Sequence, residues 1–105
     1  MGRSCRRQPQ RLQEKLLDVR TRLDLSQTQM VKRLGEAGER LRPGHISEFE
    51  SGGREPSLLV LLQYSRIAGV LMEVLVDDEL DLPERLPAEV THEWVVVQRK
   101  RHPAI

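Results

Sequence analysis

The stretch Leu25–Gly52, LSQTQMVKRLGEAGERLRPGHISEFESG, decides the fold. It opens on Ser26-Gln27-Thr28-Gln29, a capping box: the Ser26 hydroxyl accepts from the Gln29 amide while the Gln29 side chain reaches back to the Ser26 amide. This predicts a helix over 27–34, ended by Gly35. A connection over 36–42 follows and carries a second glycine, Gly38. Pro43 suits the first position of a helix, where its missing N–H would have had no partner. The spacing predicts that helix over 44–50, and Ser51-Gly52-Gly53 stops it. The segment therefore reads as two short helices held close by a glycine-bearing connection.

Working outward, Leu12, Leu16, Val19 and Leu23 recur at intervals of three and four, which predicts a preceding helix beginning near Gln10. On the other side Ser57 enters the most apolar segment, Leu58 to Ala68. There Leu58, Leu61, Leu62 and Ser65 share one face, with Leu59 widening it, and Gly69 closes the helix. Leu71 to about Asp78 predicts a short fifth helix with Met72, Leu75 and Val76 turned inward. Pro83 and Pro87 end the regular domain. Beyond them the apolar run Trp94-Val95-Val96-Val97 precedes a basic end, Arg99-Lys100-Arg101. The expected organisation is a basic arm over 1–9, a helical domain over 10–82 and an extension over 83–105.

Composition agrees with one small helical domain. The chain has 105 residues, 38% hydrophobic and 31% charged, with only 3% aromatic, so Leu and Val must build the core. The fold class expected is all-α. A single cysteine, Cys5, excludes a disulfide framework and a cysteine-based zinc site. No apolar run approaches the roughly 18 residues of a membrane span, and the basic start Met1–Arg7 has no hydrophobic stretch behind it, so a cytoplasmic location away from the membrane is expected. Charge is divided along the chain. Residues 1–54 carry 12 Lys and Arg against 7 Asp and Glu, whereas residues 55–98 carry 2 against 9. A basic half joined to an acidic half points to a polyanion on one face and solubility or self-association on another.

Four elements in this order resemble the Cro and phage-repressor (Xre-like) helix-turn-helix family: Arg20, then Leu25-Ser26-Gln27, then Ile46-Ser47 followed by Glu50 and Gly52, and then Pro56-Ser57-Leu58. The resemblance covers about Leu12 to Leu80 and implies a five-helix repressor-like DNA-binding domain with no enzymatic activity, cofactor or metal. Two positions depart from the family. Gly35 and Ile46 are eleven apart where the family has about six, an elongated turn, and Val31 stands where the family prefers alanine.

The resemblance implies roles residue by residue. The second helix of such a motif lies in the major groove with its first residues at base edges, which assigns base reading to Arg42, His45, Ser47 and Glu48, with Gly44 permitting close approach. Arg42 is the expected guanine reader; Glu48 is expected either to accept from a cytosine amino group or to orient Arg42 or Lys32. Gln27 and Thr28 at the start of the preceding helix, and Ser51 and Arg54 after the reading helix, are expected to hold phosphates. Arg20 and Glu50 are expected to form a partly buried structural salt bridge.

Other constellations carry less. Asp77, Asp78, Glu79, Asp81 and Glu84 form an acidic cluster without EF-hand spacing, which reads as a solvated helix end. His92 and His102 lack a third ligand, Gly52-Gly53 is a turn, and no phosphate loop or nucleophile motif is present. The expected function is a transcriptional regulator, a repressor binding double-stranded DNA as a homodimer on a short palindromic operator, with dimer contacts from the fifth helix and the segment around Pro83 to Val97. Two other roles stay open: an antitoxin whose tail covers a toxin partner, and a protein-interaction module on the same fold without specific DNA reading.

Overall fold

The computed structural model describes residues 8–35 and 40–87. Within them lie five helices and no strand: α1 (Leu12–Arg22), α2 (Gln27–Leu34), α3 (Pro43–Ser51), α4 (Leu58–Ala68) and α5 (Met72–Val76). The basic arm through Arg7, the connection over 36–39 and the extension from residue 88, with Trp94–Val97, lie outside the described residues.

Local signals place the helix ends. Ser26 Oγ accepts from the Gln29 amide at 3.0 Å and Gln29 Oε1 accepts from the Ser26 amide at 2.8 Å, so the capping box is present in both directions. Pro43 occupies the first turn of α3. Ser57 caps α4 by accepting from the Val60 amide at 3.3 Å. α3 ends at Gly52 with φ 88°, a left-handed conformation that favours glycine, and a Cβ there would stand 3.3 Å from Gln13 Nε2.

The core forms where the apolar stripes meet. Leu12, Leu16 and Val19 of α1, Met30 and Leu34 of α2, Ile46 and Phe49 of α3 and Leu75 of α5 are all buried. α1 packs against α3, α4 and α5, while α2 packs against α3 and α4. Leu86 is also fully buried in this cluster, so the core draws on the chain past Pro83.

α4 buries Leu61 and Ser65 of the expected face but is rotated from it. Val60, Leu61, Tyr64, Ser65 and Ala68 point inward, whereas Leu58 and Leu59 are 68% and 56% exposed. The segment Leu58-Leu59-Val60-Leu61-Leu62 is apolar on every side, so its periodicity leaves two stripes in competition. The stripe that includes the Tyr64 ring and the small Ala68 wins. It buries the largest side chain and lets the end of the helix approach its neighbours closely. α5 is shorter than expected and ends at Val76.

The acidic segment after α5 is a clasp on α1. The Asp78 carboxylate accepts from the amides of Gln10 at 2.9 Å and Arg11 at 3.0 Å, capping the start of α1 from far along the chain. In return, Lys15 reaches from α1 to the end of α5, donating to the carbonyls of Val74, Asp77 and Leu80 at 2.8, 2.9 and 2.6 Å. Arg11 adds bonds to the Asp78 carbonyl at 2.8 Å and the Asp81 carboxylate at 2.6 Å, and Arg22 donates to the Pro83 carbonyl at 2.6 Å. Lys15 is only 3% exposed, and burial pushes its ammonium below the ordinary lysine range.

Two outcomes follow for stability. Lys15→Met leaves three carbonyls without their donor and costs about 2 to 4 kcal/mol, read as a lower midpoint in urea unfolding. The Gln10 and Arg11 amides hold the Asp78 carboxyl below the usual carboxylate range. Its contribution is therefore fully present well above the unfolded value of about 4 and is lost as the pH falls through the lower folded-state value. Asp78→Asn should lower the Tm at neutral pH, with the gap to the parent narrowing as the pH falls below the ordinary aspartate value of about 4; a gap that stays constant into strong acid contradicts the capping role.

Candidate nucleic-acid interface

α3 begins at Arg42, whose backbone is extended at φ −124° and ψ 160°. The Arg42 amide donates to His45 Nδ1 at 3.0 Å, and the His45 amide donates to the Arg42 carbonyl at 2.9 Å. His45 is half-buried and closes the first turn of its own helix, so one ring nitrogen is already engaged. The Arg42 guanidinium, by contrast, is exposed and forms no ion pair among the described residues.

Ile46 and Phe49 anchor α3 to the core, which turns Gly44, Ser47, Glu48 and Ser51 outward as one stripe at helical spacing. All four are exposed. A Cβ at Gly44 would meet nothing within 4 Å, so the fold itself does not require glycine there.

Glu48, the one charge on this stripe, is already paired. Its carboxylate accepts from Arg54 Nε at 2.7 Å, with both side chains about half exposed. Arg54 holds the Glu48 carboxyl below its usual range. The partner is neither Arg42 nor Lys32, because Gly52 turns the chain back and brings Arg54 over the last turns of α3. The Gly53 and Arg54 amides both donate to the Glu48 carbonyl, at 2.9 and 3.3 Å, which fixes that return.

Behind the stripe, Arg20 grips Glu50 with two bonds, Nε to Oε2 at 2.5 Å and Nη2 to Oε1 at 3.0 Å. The side chains are 15% and 7% exposed. Arg20 Nη1 also donates to the Leu25 carbonyl at 2.9 Å, and Gln27 Nε2 donates to Glu50 Oε1 at 3.4 Å. The Arg20–Glu50 pair expected from the resemblance is thus in place. Gln27 leans on that pair and is half-buried, whereas Thr28 beside it is exposed on the first turn of α2. Tyr64 is fully buried, and burial, with a smaller push from the Glu50 charge, raises its phenol well above the ordinary range.

The structure therefore gathers Arg42, Gly44, Ser47, Glu48, Ser51 and Arg54 on or beside one exposed helix face, with His45 and Gln27 turned partly to structural work. Sequence reading passed over Lys15, although a lysine three after Leu12 and four before Val19 stands on the apolar stripe and needs a partner. It also passed over Arg33 and Arg40, which are exposed on either side of the α2–α3 connection. Comparison with known proteins returned no matching family model, no matching curated protein and no matching solved structure.

The Arg20–Glu50 geometry yields an expected loss. Arg20→Ala strands a Glu50 carboxylate that has little access to water and should cost about 3 kcal/mol or somewhat more. Thermal unfolding checks this, and an unchanged Tm would show that the pair does not hold α1 to α3.

Proposed function

We propose that this chain is a double-stranded DNA-binding transcriptional regulator of the repressor-like helix-turn-helix kind, with α3 as its reading helix. The observation that carries the proposal is the outward stripe Gly44, Ser47, Glu48, Ser51, free of packing from the described parts of its own chain and held rigid from behind by Ile46, Phe49 and Glu50. A nine-residue helix is about 14 Å long and slim on this face, a shape that fits a major groove about 12 Å wide.

The chemistry of the face suits base reading. Ser47 and Ser51 can each donate and accept, which serves either base of a pair. Gly44 removes bulk at the entering end, where base contacts concentrate in this docking mode. Arg42, exposed and fixed in backbone by His45, presents a planar five-donor fork at the same end, the group that reads guanine O6 and N7 together. Glu48 can face a cytosine amino group once Arg54 turns toward a phosphate, so its ion pair is a resting state that binding exchanges.

One reading helix makes few base contacts, so a homodimer on a palindromic site supplies the remaining specificity. A repressor that occupies its operator is the simplest activity for such a module, with no cofactor and no catalytic step.

Selection of bound duplexes from a random pool at about 0.15 M salt tests the proposal, with Arg42→Ala beside the parent. The parent should enrich a palindromic motif, and the variant should lose discrimination at one position per half-site, worth roughly 1 to 3 kcal/mol there. A folded parent that enriches no motif sinks the proposal.

A further inference from the structure

The far end of α3 combines a fixed backbone with a loose pair of charges. Gly52, at φ 88°, turns the chain back, and the amides of Gly53 and Arg54 both donate to the Glu48 carbonyl, at 2.9 and 3.3 Å. The Ser51 hydroxyl donates to the same carbonyl at 3.3 Å. This return runs close over the helix, since a Cβ at Gly53 would stand 3.5 Å from Ser51 Oγ and 4.0 Å from Glu48 Cβ. The main chain therefore delivers Arg54 to Glu48, whatever the two side chains do.

The side chains are held differently. Arg54 Nε donates to Glu48 Oε1 at 2.7 Å, and each side chain is about half exposed. Arg20 and Glu50, by comparison, have little access to water and stay locked. A pair open to water contributes little to folding, and its members readily take other partners. A groove offers both. The carboxylate only accepts, so it needs a base that donates, whereas the guanidinium needs an acceptor, which a phosphate supplies. Glu48 stands on the outward stripe beside Ser47 and Ser51, and Arg54 lies in the turn beyond α3, which places one for a base edge and the other for the backbone.

While the pair is closed its charges cancel, and it displaces no counterion from DNA, because release follows the charge brought to the phosphates. A base edge that offers Glu48 an acceptor, such as guanine O6 or thymine O4, repels the carboxylate and leaves it with Arg54. A cytosine amino group takes the carboxylate and frees the arginine for a phosphate.

We infer that Glu48 and Arg54 form a base-dependent latch: Arg54 contacts the sugar-phosphate backbone of duplex DNA only where Glu48 has met an amino donor in the groove. This rests on the proposed DNA-binding function and makes one of its phosphate contacts conditional on sequence. Ordinary phosphate contacts strengthen binding to every duplex alike, whereas this one widens the gap between the operator and other DNA.

Fluorescence anisotropy of the full-length protein across about 50 to 200 mM salt tests the latch, on the duplex selected by the parent and on a scrambled duplex of the same composition. Each phosphate contact contributes about 0.9 to the slope of log K against log salt. Glu48→Gln keeps the shape of the side chain and removes the charge that retains Arg54. Its slope on the scrambled duplex should rise by about 0.9 per protomer, with tighter binding. Glu48→Gln/Arg54→Gln removes a pair of zero net charge. It should match the parent on the scrambled duplex to within about 0.3 and lose about 0.9 per protomer on the selected one. A double variant that loses slope equally on both duplexes shows an unconditional contact and overturns the latch. One that loses slope on neither shows that the pair never opens, with the same consequence. A single variant that binds the scrambled duplex no better than the parent also overturns it. In each of these cases the parent still binds its motif, and the DNA-binding function stands. A parent that binds no duplex removes the function and the latch together.

Discussion

The bidentate grip of Arg20 on Glu50 is the interaction on which the candidate interface depends. It joins α1 to the end of α3, and the same guanidinium holds the Leu25 carbonyl at the entry to α2, while Gln27 of α2 leans on the same carboxylate. Three helices are thus referred to one pair of charges. With Glu50 only 7% exposed, water replaces little of what the arginine supplies, so the geometry is stiff where a surface pair would be loose. The proposed base reading by Gly44, Ser47, Glu48 and Ser51 needs such a reference behind it, because preorganised contacts lose less entropy on binding.

Charge does two separate jobs in the molecule. The acidic segment after α5 is spent on α1: Asp78 caps its start, Asp81 receives Arg11, and Lys15 closes the far end of α5 in return. These bonds tie helices that are distant in sequence and hold the acidic segment along α1. The cations near the α2–α3 connection are held outward by Leu34 and Leu41. Arg11 and Lys15, from the basic part of the chain, are thus consumed by the fold, whereas Lys32, Arg33, Arg40 and Arg42 stay exposed.

Much of this was legible in the residues. Ser26 and Gln29 announced the start of α2, Pro43 the start of α3, and Leu12, Leu16 and Val19 the buried side of α1, because caps and single apolar stripes are local signals. The buried face of α4 was legible only in part, at Leu61 and Ser65. A run of leucines on all sides cannot say which stripe packs, and the answer came from the partners of Tyr64 and Ala68. The acidic cluster read as a solvated helix end because its partners, the amides of Gln10 and Arg11, are almost seventy residues away. The pairing of Glu48 with Arg54 was hidden for a different reason: it depends on the left-handed turn at Gly52, which returns the chain over α3. On the candidate face itself, the stripe at 44, 47, 48 and 51 followed from helical spacing once Ile46 and Phe49 were turned inward. That His45 would cap rather than face outward required its ring to be placed.

The central claim is that the outward face of α3 meets duplex DNA. Amide NMR spectra of the full-length protein, recorded while the selected duplex is added, test it most directly. The account predicts that the largest shifts fall on Gly44, Ser47, Glu48 and Ser51, with Arg42 beside them, while the clasp between Lys15 and residues 74–80 stays unmoved. Shifts confined to that clasp, or to the exposed Leu58 and Leu59 at the start of α4, with α3 silent, would contradict it.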